Sequence, residues 1–159
     1  MRIVRGLDEQ FAALHGRSLA LARALPPERL YWQPARESGA RAFPVYSCGE
    51  HLLRSAAAVE QTFGGITVNL WDDPFEWTLP EALPAPEDVA RYLEEAEATR
   101  LRAFEFLRSD ADLSKELAAP AGMRTLFSLA SETLARAAHH QGRAFATFRL
   151  FSDARLPQI

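Results

Sequence analysis

The sequence predicts an all-α protein, a four-helix bundle with two long connections. Three observations carry this. Four amphipathic segments account for most of the chain, no run alternates apolar and polar residues convincingly as a half-buried strand would, and no internal repeat is present. With 159 residues, 48% hydrophobic and 25% charged, the chain has the length and balance of one globular domain spanning 1–159. Such a chain can bury roughly two thirds of its unfolded surface around one core.

The first helix is expected from about Leu7 to Leu25, where Leu7, Phe11, Leu14, Leu21 and Leu25 recur at helical spacing before Pro26 and Pro27 stop it. A long connection from Pro26 to Tyr46 follows, rich in breakers and carrying Tyr31 and Trp32. Ser47-Cys48-Gly49-Glu50 then reads as a capping box: Ser47 accepts from the helix backbone while Glu50 reaches back to the cap N–H. The second helix is expected to reach Phe63 and to end at Gly64-Gly65.

Residues Ile66 to Pro84 read as the second long loop, whose aromatics Trp71, Phe75 and Trp77 cap the bundle or line a pocket. Pro86-Glu87-Asp88 suits the first turn of a third helix, since proline is tolerated there and acids favour the positive end of the dipole. Val89, Leu93, Ala96, Ala103, Phe104 and Leu107 form its inward stripe. After a connector over 109–124, Thr125 caps a fourth helix reaching about Phe151, with Leu126, Ala130, Leu134, Ala137, Phe145 and Phe148 facing the core.

The formal charge of −3 is spread along the chain, and no basic block could neutralise a run of phosphates, which argues against nucleic acid as a partner. No segment approaches the ~20 apolar residues of a membrane span, and the first residues lack a signal-peptide stretch. A single cysteine, Cys48, leaves no intramolecular disulfide and fits a reducing compartment, so a cytoplasmic location is expected. Cys48 sits in the first turn of the second helix, where the dipole can lower a thiol pKa; a small residue in a tight turn is the plainer reading.

Three motifs in order carry a resemblance: Leu25-Pro26-Pro27-Glu28-Arg29-Leu30-Tyr31-Trp32, the Ser47-Cys48-Gly49-Glu50 helix entry, and His139-His140-Gln141-Gly142-Arg143 on the fourth helix. Together they resemble the DinB-like superfamily of small four-helix bundles, also known through YfiT-like proteins, over nearly the whole chain. The last motif is similar to that family's His-His-Arg-Gly-Gln run with its final residues altered. The resemblance implies a homodimer and a divalent metal, nickel or zinc, held by one histidine of the second helix and a His-x-x-x-His pair of the fourth. It also implies metal-dependent thiol transfer or hydrolysis, with neutral imidazoles leaving open metal positions for Lewis-acid chemistry.

Carried over by position, the second histidine of the pair falls on His140, the first on Arg136, and the ligand of the second helix on Arg54. A register shift of one turn would bring His51 into that last place instead. Two guanidinium groups about 6 Å apart would repel by roughly 3 kcal/mol at an effective dielectric near 20, and both would repel a divalent cation. The implication is a divergent protein with a lost or remodelled metal site, serving in small-molecule or anion binding or in a stress response.

Glu50 precedes Arg54 by four residues and Glu132 precedes Arg136 by four, the favourable acid-before-base pairing on a helix. An arginine–glutamate network with His140 is therefore expected where relatives hold metal, unless both pairs lie on the solvent face. The same arginines and histidine could bind a carboxylate or phosphate by forked hydrogen bonds. Alternatively, His51 and His140 with Glu50 or Glu132 would make a two-histidine, one-carboxylate metal site. His139 points about 100° away from His140 and reads as a packing or surface residue, and His15 has no evident partner.

Overall fold

The computed structural model describes residues 1–34, 45–74 and 78–156. Its elements are α1 (Arg2–Ala24), a 3₁₀ turn (Pro27–Arg29), α2 (Cys48–Val68), α3 (Pro86–Phe104), a second 3₁₀ turn (Asp110–Ser114), β1 (Glu116–Ala119), β2 (Gly122–Thr125) and α4 (Leu126–Phe148). The protein is mostly helical, as expected, and no helix among the described residues is long and apolar enough to cross a membrane.

The connector over 109–124 differs from its expected form. It folds into a 3₁₀ turn and an antiparallel hairpin in which Glu116 pairs with Thr125 and Ala119 with Gly122. Strands of four residues, each partly exposed, are too short to print an alternating pattern. Gly122, at φ 106°, supplies the left-handed conformation that turns the chain.

α2 also outruns its expected stop. Gly64 and Gly65 lie inside the helix, which ends only at Asn69, a left-handed cap at φ 56° whose N–H donates to Gly65 O at 3.0 Å. Gly65 is there for a neighbour: a Cβ on it would meet the Trp71 ring at 2.4 Å, so the missing side chain is the seat of that indole. The opposite end of α2 forms the expected capping box, with Glu50 N donating to Ser47 Oγ at 3.2 Å and Ser47 N donating to Glu50 Oε2 at 2.7 Å. At α4, Ser128 N donates to Thr125 Oγ1 at 3.1 Å, again as expected.

α1 begins five residues earlier than its apolar stripe suggests, because a distant residue caps it. Asp110 accepts from the backbone N–H groups of Arg2, Ile3 and Val4 at 2.9 to 3.1 Å. Those three bonds satisfy donors that a helix start cannot satisfy for itself, and the ones from Val4 and Arg2, with the Met1 ammonium, hold the Asp110 carboxyl below the usual carboxylate range.

α1 packs on α3 and α4, and α2 packs on the same two helices, while α1 and α2 scarcely meet. The helices therefore stand in the cyclic order α1, α3, α2, α4. One part of the core gathers Leu21, Leu52, Leu53, Val89, Leu93 and Phe148. A second is built on Phe11, Phe63 and Phe104, with ring centroids 5.1 to 6.0 Å apart. Arg100 joins α3 to α1 from within: it is 1% exposed, pairs with Asp8 and Glu97, and lies 4.9 Å from the Phe104 ring.

Candidate functional site

The candidate site lies on the α2–α4 seam, whose geometry follows from small polar residues at intervals near seven. Cys48 Sγ donates to Ala144 O at 3.3 Å, Ser55 Oγ donates to Ala137 O at 2.9 Å, and the Thr62 and Thr133 hydroxyls bond each other at 2.6 Å. Partner numbers fall on α4 as they rise on α2, so the helices run antiparallel. Short side chains bonding across to the other backbone let the two approach closely.

His51 occupies this seam between Cys48 and Ser55, buried at 1% exposure, and faces His140. Their Nδ1 atoms are 3.3 Å apart; one ring carries its proton there and donates to the other. Burial, with Arg143 and His140 close by, pulls His51 down to about 4. Burial, with His139 and Arg54 close by, does the same to His140. Both rings are thus neutral near pH 7. The residue of α2 opposite His140 is therefore His51, one turn from the position carried over to Arg54.

Arg54 and Arg136 flank the pair. Arg54 stacks 3.9 Å above the Tyr46 ring, and Tyr46 meets His51 edge-on with centroids 5.5 Å apart. Arg136 Nη2 donates to Ala58 O at 3.5 Å and to Gln61 Oε1 at 3.3 Å. Arg54, Arg136, His140, Gln61 and Asp73 line a cleft of about 110 Å³. Among the described residues that line this cleft, two arginines stand against one aspartate, beside neutral histidines.

The expected glutamate partners are committed elsewhere. Glu50 Oε2 serves the capping box and accepts from Gln33 Nε2 at 3.2 Å, and Glu132 pairs with Arg124 of the hairpin. The arginine–glutamate network is therefore not built from Glu50 and Glu132: the cap geometry claims the first, and the unforeseen hairpin supplies a nearer cation for the second. The same commitments remove the carboxylate from the two-histidine, one-acid arrangement.

Among the described residues a divalent metal would meet two suitable nitrogens, those of His51 and His140. Among the described residues no group of three His, Cys, Asp or Glu side chains could hold one, and Arg136 stands where the resemblance would put the first histidine of its pair. This donor set does not fit the three-ligand site that the resemblance implies.

Cys48 is fully buried in the seam and its thiol is pushed up to about 12 by burial, which overrides any help from the helix dipole. It is a packing residue. His139 is exposed, with its ring 5.5 Å from that of His140, and His15 borders a small interior cavity near Arg100. Trp71 packs on Gly65, while Phe75 and Trp77 lie outside the described residues.

Tyr46 and Gln61 were not foreseen as site residues. Gln61 had a legible signal, being two helical turns after Arg54 on the same face. Tyr46 comes from a connection, where no periodicity tells which way a side chain turns. No protein-family model matches the chain, and no curated protein matches it closely enough to count as a relative.

Proposed function

We propose that the chain is a divergent DinB/YfiT-like protein whose metal site has been remodelled into an anion-binding cleft. One observation carries this reading: Arg54 and Arg136 converge on a cleft beside His140, with both histidines held neutral. A guanidinium presents five donors in a planar fork suited to carboxylate and phosphate, and keeps its charge at any working pH. Arg54 is oriented by Tyr46 and Arg136 contacts Gln61, which lowers the side-chain freedom lost on binding. Neutral His140 adds a hydrogen-bonding edge without a further charge.

Isothermal titration with inorganic phosphate, acetate and succinate tests the proposal. Binding should weaken about tenfold or more in Arg54→Gln and in Arg136→Gln, as loss of a charge-assisted hydrogen bond implies. No binding of any of the three anions to the wild-type protein would sink it.

A second reading, a metal-dependent thiol transferase or hydrolase, is favoured by one distance. Two nitrogens bound tetrahedrally to zinc at about 2.0–2.1 Å stand roughly 3.3–3.4 Å apart, and the His51 and His140 Nδ1 atoms are 3.3 Å apart. Metal analysis of protein purified without an affinity tag separates the two readings. One equivalent of zinc or nickel, lost in His51→Ala, would replace the anion proposal with this one.

A further inference from the structure

The cleft does not end at Arg136. A second cavity of about 270 Å³ adjoins it, and Gln61 and Arg136 line both. The two differ in chemistry. On the Arg54 side Arg54 and Asp73 stand with Arg136, whereas beyond Arg136 the walls include Leu129, Trp71, Ala119 and Ala121 with Thr62 and Thr133, and the charges there, Arg124 and Glu132, pair with each other.

Apart from Arg136, the polar side chains lining that second cavity are already matched. The two threonine hydroxyls bond each other, Arg124 and Glu132 pair at the rim, and Gln61 Nε2 donates to Trp71 O at 3.1 Å. Arg136, at the junction, spends Nη2 on Ala58 O and Gln61 Oε1, while its Nη1 and Nε make no hydrogen bond among the described residues. Gln61 therefore holds the Trp71 loop with one end of its amide and Arg136 with the other.

We infer that the ligand is an organic acid with an anionic head between Arg54 and Arg136 and an uncharged, largely apolar body. The body extends along the α2–α4 groove toward the hairpin turn. This rests on the anion-binding reading above and adds a second subsite to it. A matched polar wall gives a charged body nothing to bind, whereas an apolar body gains by leaving water. Arg136 is the hinge of recognition, touching the head and bordering the body.

Calorimetric titration of the full chain with acetate, butyrate and hexanoate, and with inorganic phosphate and hexyl phosphate, tests the inference. Each added methylene should tighten binding about fourfold, the ratio implied by burying one such group. Ala121→Trp places a ring over the second cavity from an exposed turn position that does not line the Arg54 cleft. It should erase the chain-length gain and leave acetate and phosphate binding unchanged, with circular dichroism confirming the helices.

Equal affinity within both series, acetate with hexanoate and phosphate with hexyl phosphate, or a gain that survives Ala121→Trp, would overturn the second subsite while leaving the head site standing. Failure of every anion, long or short, would remove the head site and this inference together. A gain with hexyl phosphate and none with hexanoate would identify the head as phosphate.

Discussion

At the scale of single residues, the neutral histidine pair makes stability depend on pH. His51 and His140 sit near pKa 4 in the fold, against about 6.5 for an ordinary histidine, so the unfolded chain binds more protons between those values. Their contribution is fully present above about pH 6.5 and is lost as the pH falls toward 4. Urea titrations should show the folded state weakening over that window by on the order of 1–3 kcal/mol beyond the loss in His140→Asn. Equal pH dependence in the two proteins would contradict the pair. Arg100 is the second residue of consequence, because its removal leaves Glu97 and Asp8 without their shared cation. Arg100→Ala should cost about 3 kcal/mol by urea midpoint, the usual penalty for breaking a buried pair. The His51 side of the pair was legible from the sequence as the register alternative to Arg54. The buried Arg100 was not, since an arginine three residues after Glu97 looks like any surface pair until α1 covers it.

At the scale of elements, caps were the most legible features and glycines the least. Ser47 with Glu50, and Thr125 with the helix it opens, were readable because a cap depends on residues three apart. Asp110 capping α1 was hidden because its partners are 106 to 108 residues away. Gly64-Gly65 misled for a physical reason: a glycine pair commonly ends a helix, yet Gly65 is required by a ring that arrives from outside it. Gly65→Ala is therefore expected to destabilise the protein by about 1–3 kcal/mol through overpacking, despite alanine's better helix propensity. It should also shift tryptophan emission as Trp71 leaves its seat. A gain in stability would show that the indole is not held there. The glutamates were misplaced for a related reason: helical spacing identifies partners within α2 and α4, but not the cap or the hairpin that competes for them.

At the scale of the whole molecule, four helices were legible from their apolar stripes, and their cyclic order was not, because a stripe says that a face is buried without naming what buries it. The order α1, α3, α2, α4 separates α1 from the helix that follows it in the chain. A growing chain that has emitted α1 and α2 therefore holds two amphipathic helices that share little beyond the Phe11–Phe63 contact, each waiting for most of its partners from residue 86 onward. Local helix pairs ordinarily close first and quickly, whereas here the first docking of α1 must close a long loop. Its first turn waits longer still, for Asp110. A fragment spanning 1–70 should accordingly lack cooperative thermal unfolding and expose apolar surface to a dye such as ANS, and a stably folded fragment would refute this. The remote cap on α1 thus makes that helix one of the latest segments to become secure, and leaves its apolar face in need of shielding in the interval.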